Sequence, residues 1–165
     1  MEPRISINIR AYETEDLDKI LAVFRRSIRE IASADYAPAQ IEAWSRVDRA
    51  AWAEQWAELR RWVAWAGDRA AGFVDLGRGG HLDKLYVDPD HRRRGVARAL
   101  LKRARTEAII QGVDLLHTEA SLTARPFFET EGFRVAAEET VCRNGQIFRR
   151  FRMHENSLRM GSDPR

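Results

Sequence analysis

The chain carries a single cysteine, Cys142, among 165 residues. That excludes an internal disulfide and, with no cluster of cysteines or histidines beside it, argues against a structural zinc site. No apolar run approaches the roughly 18 residues of a membrane helix, and no apolar N-terminal segment reads as a signal peptide. A soluble cytoplasmic protein with no membrane partner is expected. Repeats, low-complexity tracts and a dividing linker are also missing, so residues 1–155 read as one domain and 156–165 as a disordered tail. Neither sign of charge dominates: 28 Lys and Arg stand against 25 Asp and Glu. The basic residues lack interleaved stacking aromatics, so no nucleic-acid partner is expected. Four scattered histidines form no metal set, and no metal is expected.

The 44% of hydrophobic residues are patterned as alternating strands and amphipathic helices. Ile5 to Ile9 alternates as a half-buried strand, and Thr14 reads as the cap of a long helix with Leu17, Ile20, Leu21, Phe24, Ile28 and Ile31 on one stripe. Pro38 opens a second helix with Ile41 and Trp44, and Asp48 caps a third with Trp52, Trp56 and Leu59. Strands 62–66 and 71–76 join through Gly67-Asp68, and a strand follows to Val87. A helix from Gly95 to Gln111, a strand from Val113 to Glu119 and a short helix capped by Ser121 or Thr123 come next. The hairpin 133–143 and 146–153 turns on Asn144-Gly145. Cys142 reads as a small buried hydrophobe, His91 as a solvent-facing loop residue, His117 as part of a strand and His154 as part of the tail.

Residues 85 to 101 carry the chemistry. Leu85, Tyr86 and Val87 end a strand, Asp88-Pro89 turns the chain, and Arg92, Arg93, Arg94, Gly95, Val96, Ala97 and Arg98 lead into a helix. Such a helix start offers unpaired N–H groups and the positive end of a dipole, and glycine lets an anion reach the main chain. Three arginines there oppose the dipole unless an anion neutralises them. The spacing is neither a Walker loop nor a three-glycine dinucleotide fingerprint. Within the strand, Leu82 and Leu85 have opposite parity, so burying both with Val87 requires an extra residue near Asp83-Lys84.

Arg-x-x-Gly-x-Ala after Val-Asp-Pro resembles the acyl-CoA loop of the GCN5-related N-acetyltransferases. The resemblance runs from Leu82 to Phe133: strand, loop, long helix, strand, and a short helix closed by Gly132-Phe133. It implies an α/β fold with a mostly antiparallel mixed sheet of six to seven strands and about four flanking helices. It also implies transfer of an acetyl group from acetyl-CoA to a primary amine of a small molecule or peptide, with a homodimer as a further partner. By the same resemblance, pantetheine pairs with main-chain groups of Leu85 and Val87, and Ser121, Ala124, Phe127 and Phe128 complete the coenzyme site. The alternative is a silent acyl-CoA sensor of the same fold.

The attacking amine must be neutral, and at a lysine-like pKa of ~10.4 only about one in 2500 is neutral at pH 7. Candidate bases are Asp83, ranked first by its position in the resemblance, then His81 and Glu119, with Asp75 also on a central strand. The family commonly places a tyrosine where Phe128 stands and an asparagine where Ser121 stands; a phenyl ring cannot reprotonate the departing thiolate. Tyr36 and Tyr86 are the other phenols that could. The block from Asp35-Tyr36 to Ala43-Trp44, with the Phe-Phe pair, resembles a bacterial subgroup of the family. Tyr36 and Trp44 beside Pro38, with Asp75, are candidates for the acceptor pocket, whereas Trp52 and Trp56 read as core.

Overall fold

The computed structural model describes residues 6–155; the N-terminal start of the first strand at Ile5 and the tail 156–165 lie outside them. Seven strands, β1 (Ile7–Ala11), β2 (Arg60–Ala66), β3 (Arg69–Leu76), β4 (His81–Val87), β5 (His117–Ala120), β6 (Phe133–Arg143) and β7 (Gln146–Glu155), form one sheet. Their order is β1-β2-β3-β4-β5-β7-β6, antiparallel throughout except between β4 and β5. Five α-helices, α1 (Leu17–Glu30), α2 (Pro38–Ser45), α3 (Arg49–Gln55), α4 (Val96–Ile110) and α5 (Arg125–Thr130), cover its faces. No helix among the described residues is long and apolar enough to cross a membrane.

Alternation along the strands divides the core. Val74, Leu76, Leu82, Leu85 and Val87 face α4, whose Val96, Leu100, Leu101, Ala104 and Ala108 fill the space above them. Val63, Trp65, Phe73 and Tyr86 face α1, whose stripe Leu17, Ile20, Leu21, Phe24 and Ile28 packs there with Trp52. Gly72 sits where α4 crosses β3: a Cβ there would lie 2.7 Å from the Tyr86 carbonyl and 3.1 Å from Val96 and Leu100 side chains.

The parity conflict in β4 is resolved as the sequence requires. Asp75 pairs with Lys84 but Leu76 pairs with Leu82, so Asp83 is the extra residue. This bulge returns Leu82, Leu85 and Val87 to one face. β5 meets β4 only at His81/His117 and Leu82/Thr118, and beyond that point the two strands part.

Several local expectations are corrected. The N-cap position of the first helix falls on Asp16 rather than Thr14, because Thr14 to Asp16 forms a 3-10 turn ahead of α1; the Asp16 carboxylate accepts the Glu13 N–H at 2.9 Å and so closes that turn rather than capping α1. α3 stops at Gln55, leaving Trp56 40% exposed against Tyr12. β5 begins at His117, and only Leu116 of the preceding run is buried. Cys142 is exposed, since Val141 beside it takes the face packed under α2 and Cys142 takes the opposite one. His154 belongs to β7, opposite His117.

Asp75 is fully buried and holds Arg61 through bonds of 2.5 and 2.8 Å. Arg61 is itself enclosed beneath the Tyr12, Trp52 and Phe73 rings. Removing one partner strands a charge in the core, so Asp75→Ala should lower the free energy of unfolding by about 3–5 kcal/mol. Urea titration of the variant against the parent checks this; an unchanged midpoint would contradict it.

Candidate active site

The divergence of β4 from β5 opens the sheet and creates two cavities that share a wall. The first is a groove of about 740 Å³ running from the start of α4 to α5. The second, of about 510 Å³, lies on the other side of the gap, under α2 and the β6–β7 hairpin. Trp44, Leu85, Tyr86, Ser121, Ala124 and Phe128 line both. A ligand extended along the groove therefore ends where the second cavity begins.

Within β4 the main chain has a definite polarity. Asp88 donates its N–H to Ala71 of β3 at 2.8 Å, and the main-chain groups of successive strand residues point to opposite sides. Tyr86 shares the orientation of Asp88, with its carbonyl at Gly72. Leu85 and Val87 consequently direct their N–H and C=O groups into the gap. A strand without a partner on one side is a template for another extended chain.

The loop at the groove's far end has the geometry that its sequence implies. Gly95 is the N-cap of α4 at φ 79°, and Arg93 also has positive φ, at 58°. A left-handed arginine costs on the order of 1 kcal/mol or more, a strain that clusters at ligand sites. Arg92, Arg93, Gly95, Val96, Ala97 and Arg98 line the groove, as do Leu85, Tyr86, Val87, Ser121, Ala124, Phe127 and Phe128. Arg94 is exposed in the same loop but is not on the groove wall. Arg98 is tied to Glu131 at 2.8 Å.

His91, expected in solvent, is buried on the groove wall with Nδ1 3.1 Å from Asp88 Oδ2. The turn Pro89–His91 folds the ring inward because the Asp88 carboxylate, also bound to Arg26 at 2.5 Å, gathers it. Ser27, Ile28 and Ile31 of the α1 region also reach the groove. Sequence reading placed Ile28 and Ile31 in the core stripe, and only their position near the helix end, before the break at Ser33, hinted at a second role.

Asp83, Glu119, Tyr36 and Trp44 all line the second cavity. Asp83 is ion-paired with Lys84, whose ammonium lies 3.5 Å from Asp75 as well. Glu119 Oε2 lies 2.6 Å from His81 Nε2, and the His81 ring stacks on His117 at 5.0 Å. With Glu119 ionised, that His81 nitrogen carries the proton. His81 thus reaches the cavity through Glu119. Asp75, fully buried with Arg61, is not on the cavity wall.

Phe128 is buried against Phe127 and Phe133 and has no proton to donate. A phenol approaches its helix from elsewhere in the chain: the Tyr36 hydroxyl accepts the Leu122 N–H at 2.9 Å. Ser121 Oγ accepts the Ala124 N–H at 3.1 Å. Thr123, the other cap candidate, instead donates its hydroxyl to Asp35 at 2.7 Å. Burial raises the Tyr36 phenol above its ordinary value, so it stays protonated at neutral pH. Burial likewise pushes Tyr86 up to about 12.

Residues 32–155 match the family model described as an acetyltransferase (GNAT) domain. The chain is 39% identical over 148 residues to the uncharacterized N-acetyltransferase YafP of Escherichia coli strain K12, covering 90% of this chain and 95% of that protein. It is 32% identical over 140 residues to YjaB of Salmonella typhimurium strain LT2, a peptidyl-lysine N-acetyltransferase, covering 82% and 88% respectively. A crystal structure of a GCN5-related N-acetyltransferase from Rhodopseudomonas palustris superposes with a TM-score of 0.88 at 30% identity, covering 91% and 95%.

Burial raises all three tyrosines, Tyr12, Tyr36 and Tyr86, above 10. In the unfolded chain they ionise near pH ~10. From that pH toward 12 the unfolded state therefore holds fewer protons, so stability falls as pH rises and is unaffected by these groups below it. Absorbance near 295 nm at about pH 10 should show less tyrosinate in the folded protein than in urea, where ionisation is roughly half. Equal ionisation in the two states would contradict the burial argument.

Proposed function

The chain belongs to the GNAT family of acetyl-CoA-dependent N-acetyltransferases, and from that premise we propose that it acetylates the primary amine of a small molecule by direct attack on the thioester. The observation that carries this reading is the pair of cavities meeting at Leu85, Ser121 and Phe128. One is long and begins at a strained, arginine-rich helix start; the other is short, aromatic and lined by carboxylates.

In this reading acetyl-CoA lies along the groove. Its pyrophosphate takes the N–H groups at the start of α4, approached over Gly95, with Arg92 and Arg93 beside it. The ligand's charge offsets the arginines and the strain at Arg93. Pantetheine adds to β4 through the free main-chain groups of Leu85 and Val87. The thioester then sits at the shared wall, where the Leu85 N–H, exposed by the strand divergence, stabilises the oxyanion that forms on attack.

Glu119 is the group best placed to take the amine's proton. It lines the acceptor cavity and its charge is stabilised by a single hydrogen bond from His81, whereas Asp83 is neutralised by Lys84. His81 holds the Glu119 carboxylate in position. The nitrogen lone pair forms the new bond to the acetyl carbon, the carbon–sulfur bond breaks, and the sulfur leaves with that bond's electron pair. Tyr36 supplies the proton that Phe128 cannot: the hydroxyl oxygen already accepts the Leu122 N–H, leaving its own hydrogen free to donate. This recovers the function of the missing tyrosine from a different element.

A thiol-release assay with acetyl-CoA and a panel of amines tests the reading. Gly95→Glu should abolish acetyl-CoA binding in calorimetry. Glu119→Gln should lower kcat by about 10²–10⁴-fold, and by more than Asp83→Asn does. Tyr36→Phe should lower kcat at high pH less than at low pH, where the thiolate most needs a proton. A larger loss in Asp83→Asn would move the base to Asp83. Tight, Gly95-dependent binding with no thiol release from any amine would turn the reading into that of an acyl-CoA sensor.

A further inference from the structure

Resting on the acetyl-transfer reading, we propose that the acceptor is an amine that also bears a carboxylate, held by Arg46 and Arg143 at the mouth of the second cavity, with an apolar or aromatic body between the two charges. The cavity wall carries five cationic side chains against two carboxylates. Three of the cations are already committed. Lys84 pairs with Asp83 and Asp75, Arg149 with Glu138 at 2.6 Å and Arg150 with Glu139 at 2.6 Å. Arg46 and Arg143 have no carboxylate within ion-pair distance among the described residues.

These two arginines are far apart in sequence and are brought to one cavity by a specific contact. Arg46 follows the last residue of α2, and Arg143 ends β6 immediately before the Asn144-Gly145 turn. The Asn144 side chain donates to the Ala43 carbonyl of α2 at 2.8 Å, clamping the hairpin tip onto that helix. The two-residue turn holds Asn144 and Gly145 at positive φ, 47° and 80°. The charge of Arg143 is felt inside: after burial and a bond with Trp44, it is the next influence on the Tyr86 phenol, which it lowers.

The remaining wall defines the body of the ligand. Trp44, Tyr36 and Phe148 form a mutually packed aromatic set with centroids 5.3, 5.9 and 6.1 Å apart. Glu119 and Asp83 line the same cavity and are suited to an ammonium. A polyamine or a plain lysine side chain would meet two unneutralised guanidinium groups with nothing to offer them, and like charges in one cavity repel. An aminocarboxylate places opposite charge at each end, and a carboxylate matches the guanidinium fork.

The experiment measures kcat/KM for matched pairs whose charges stand at opposite ends: 4-(aminomethyl)benzoate against its methyl ester, 4-(2-aminoethyl)benzoate against its methyl ester, and 6-aminohexanoate against hexylamine. The intact protein should prefer the carboxylate in at least one pair by roughly 10–100-fold, and the preference should shrink as salt is raised. Arg46→Ala with Arg143→Ala should bring that ratio toward one. Each amine's own pKa cancels when the ratio is compared between parent and variant. Calorimetric binding of acetyl-CoA, unaltered in the variant, establishes that it is folded.

No carboxylate preference, or a preference that survives loss of both arginines, overturns the proposal while acetyl transfer stands. Turnover of lysine peptides alone overturns it too, and leaves the transfer reading intact. Thiol release from no amine at all, with acetyl-CoA bound, overturns both.

Discussion

The site depends on one extra residue in a strand. Because Asp83 is inserted between the positions that pair with Leu76 and Asp75, β4 changes direction after Leu82 and loses β5 as a partner. Parting two strands in the middle of a sheet exposes main-chain groups that would otherwise be bonded, a cost of about 1–3 kcal/mol for each group left dry and unpaired. A ligand with its own amides recovers that cost on binding. The same bulge keeps Leu82, Leu85 and Val87 on the α4 face, so the core closes around the gap rather than collapsing into it. Stability and function thus make opposite demands on β4, and the bulge satisfies both.

The charge distribution follows a similar logic. Most carboxylates and cations are matched, including the sealed pair Arg61–Asp75 and the cross-strand pairs of the β6–β7 hairpin. Positive charge is left without a local carboxylate on the cavity wall under the hairpin, at Arg46 and Arg143. At the start of α4 the helix dipole and the arginines add rather than cancel. Like charges repel there, and left-handed Arg93 adds backbone strain. An anion relieves both at once. The sheet interior, by contrast, has its charges paired before any ligand arrives.

What could be read from the sequence was local. The loop around Gly95, the turn at Asn144-Gly145, the α1 stripe and the bulge near Asp83 each rest on residues adjacent in the chain, where steric and periodic rules act directly. The α2 and α3 starts at Pro38 and Asp48 were legible for the same reason. Residues whose environment is set by distant segments were less so. His91 turns inward because Asp88 is anchored by Arg26, 62 positions away. Cys142 is exposed because it alternates with Val141 onto the face of β6 that no helix among the described residues covers, a matter of how distant helices pack. Asp75 shares a strand face with good candidates, yet it is sealed by an arginine from β2 that no spacing rule links to it.

The exchange of tyrosine for phenylalanine at position 128 shows the same limit in chemical terms. A motif records which residue types stand near one another in sequence, whereas a proton donor is defined by where its oxygen sits in space. Tyr36 and Leu122 are 86 positions apart, yet their hydrogen bond puts a phenol at the start of the helix that carries Phe128. With Tyr36 as the proposed proton donor, a hydroxyl at 128 has no further task, and a buried phenyl packs against Phe127 and Phe133 without a polar group to satisfy. On the proposed role of Tyr36, the phenylalanine at 128 and the aromatic block from Tyr36 to Trp44 are two halves of one arrangement. Neither can be interpreted without the other, and only the fold brings them together.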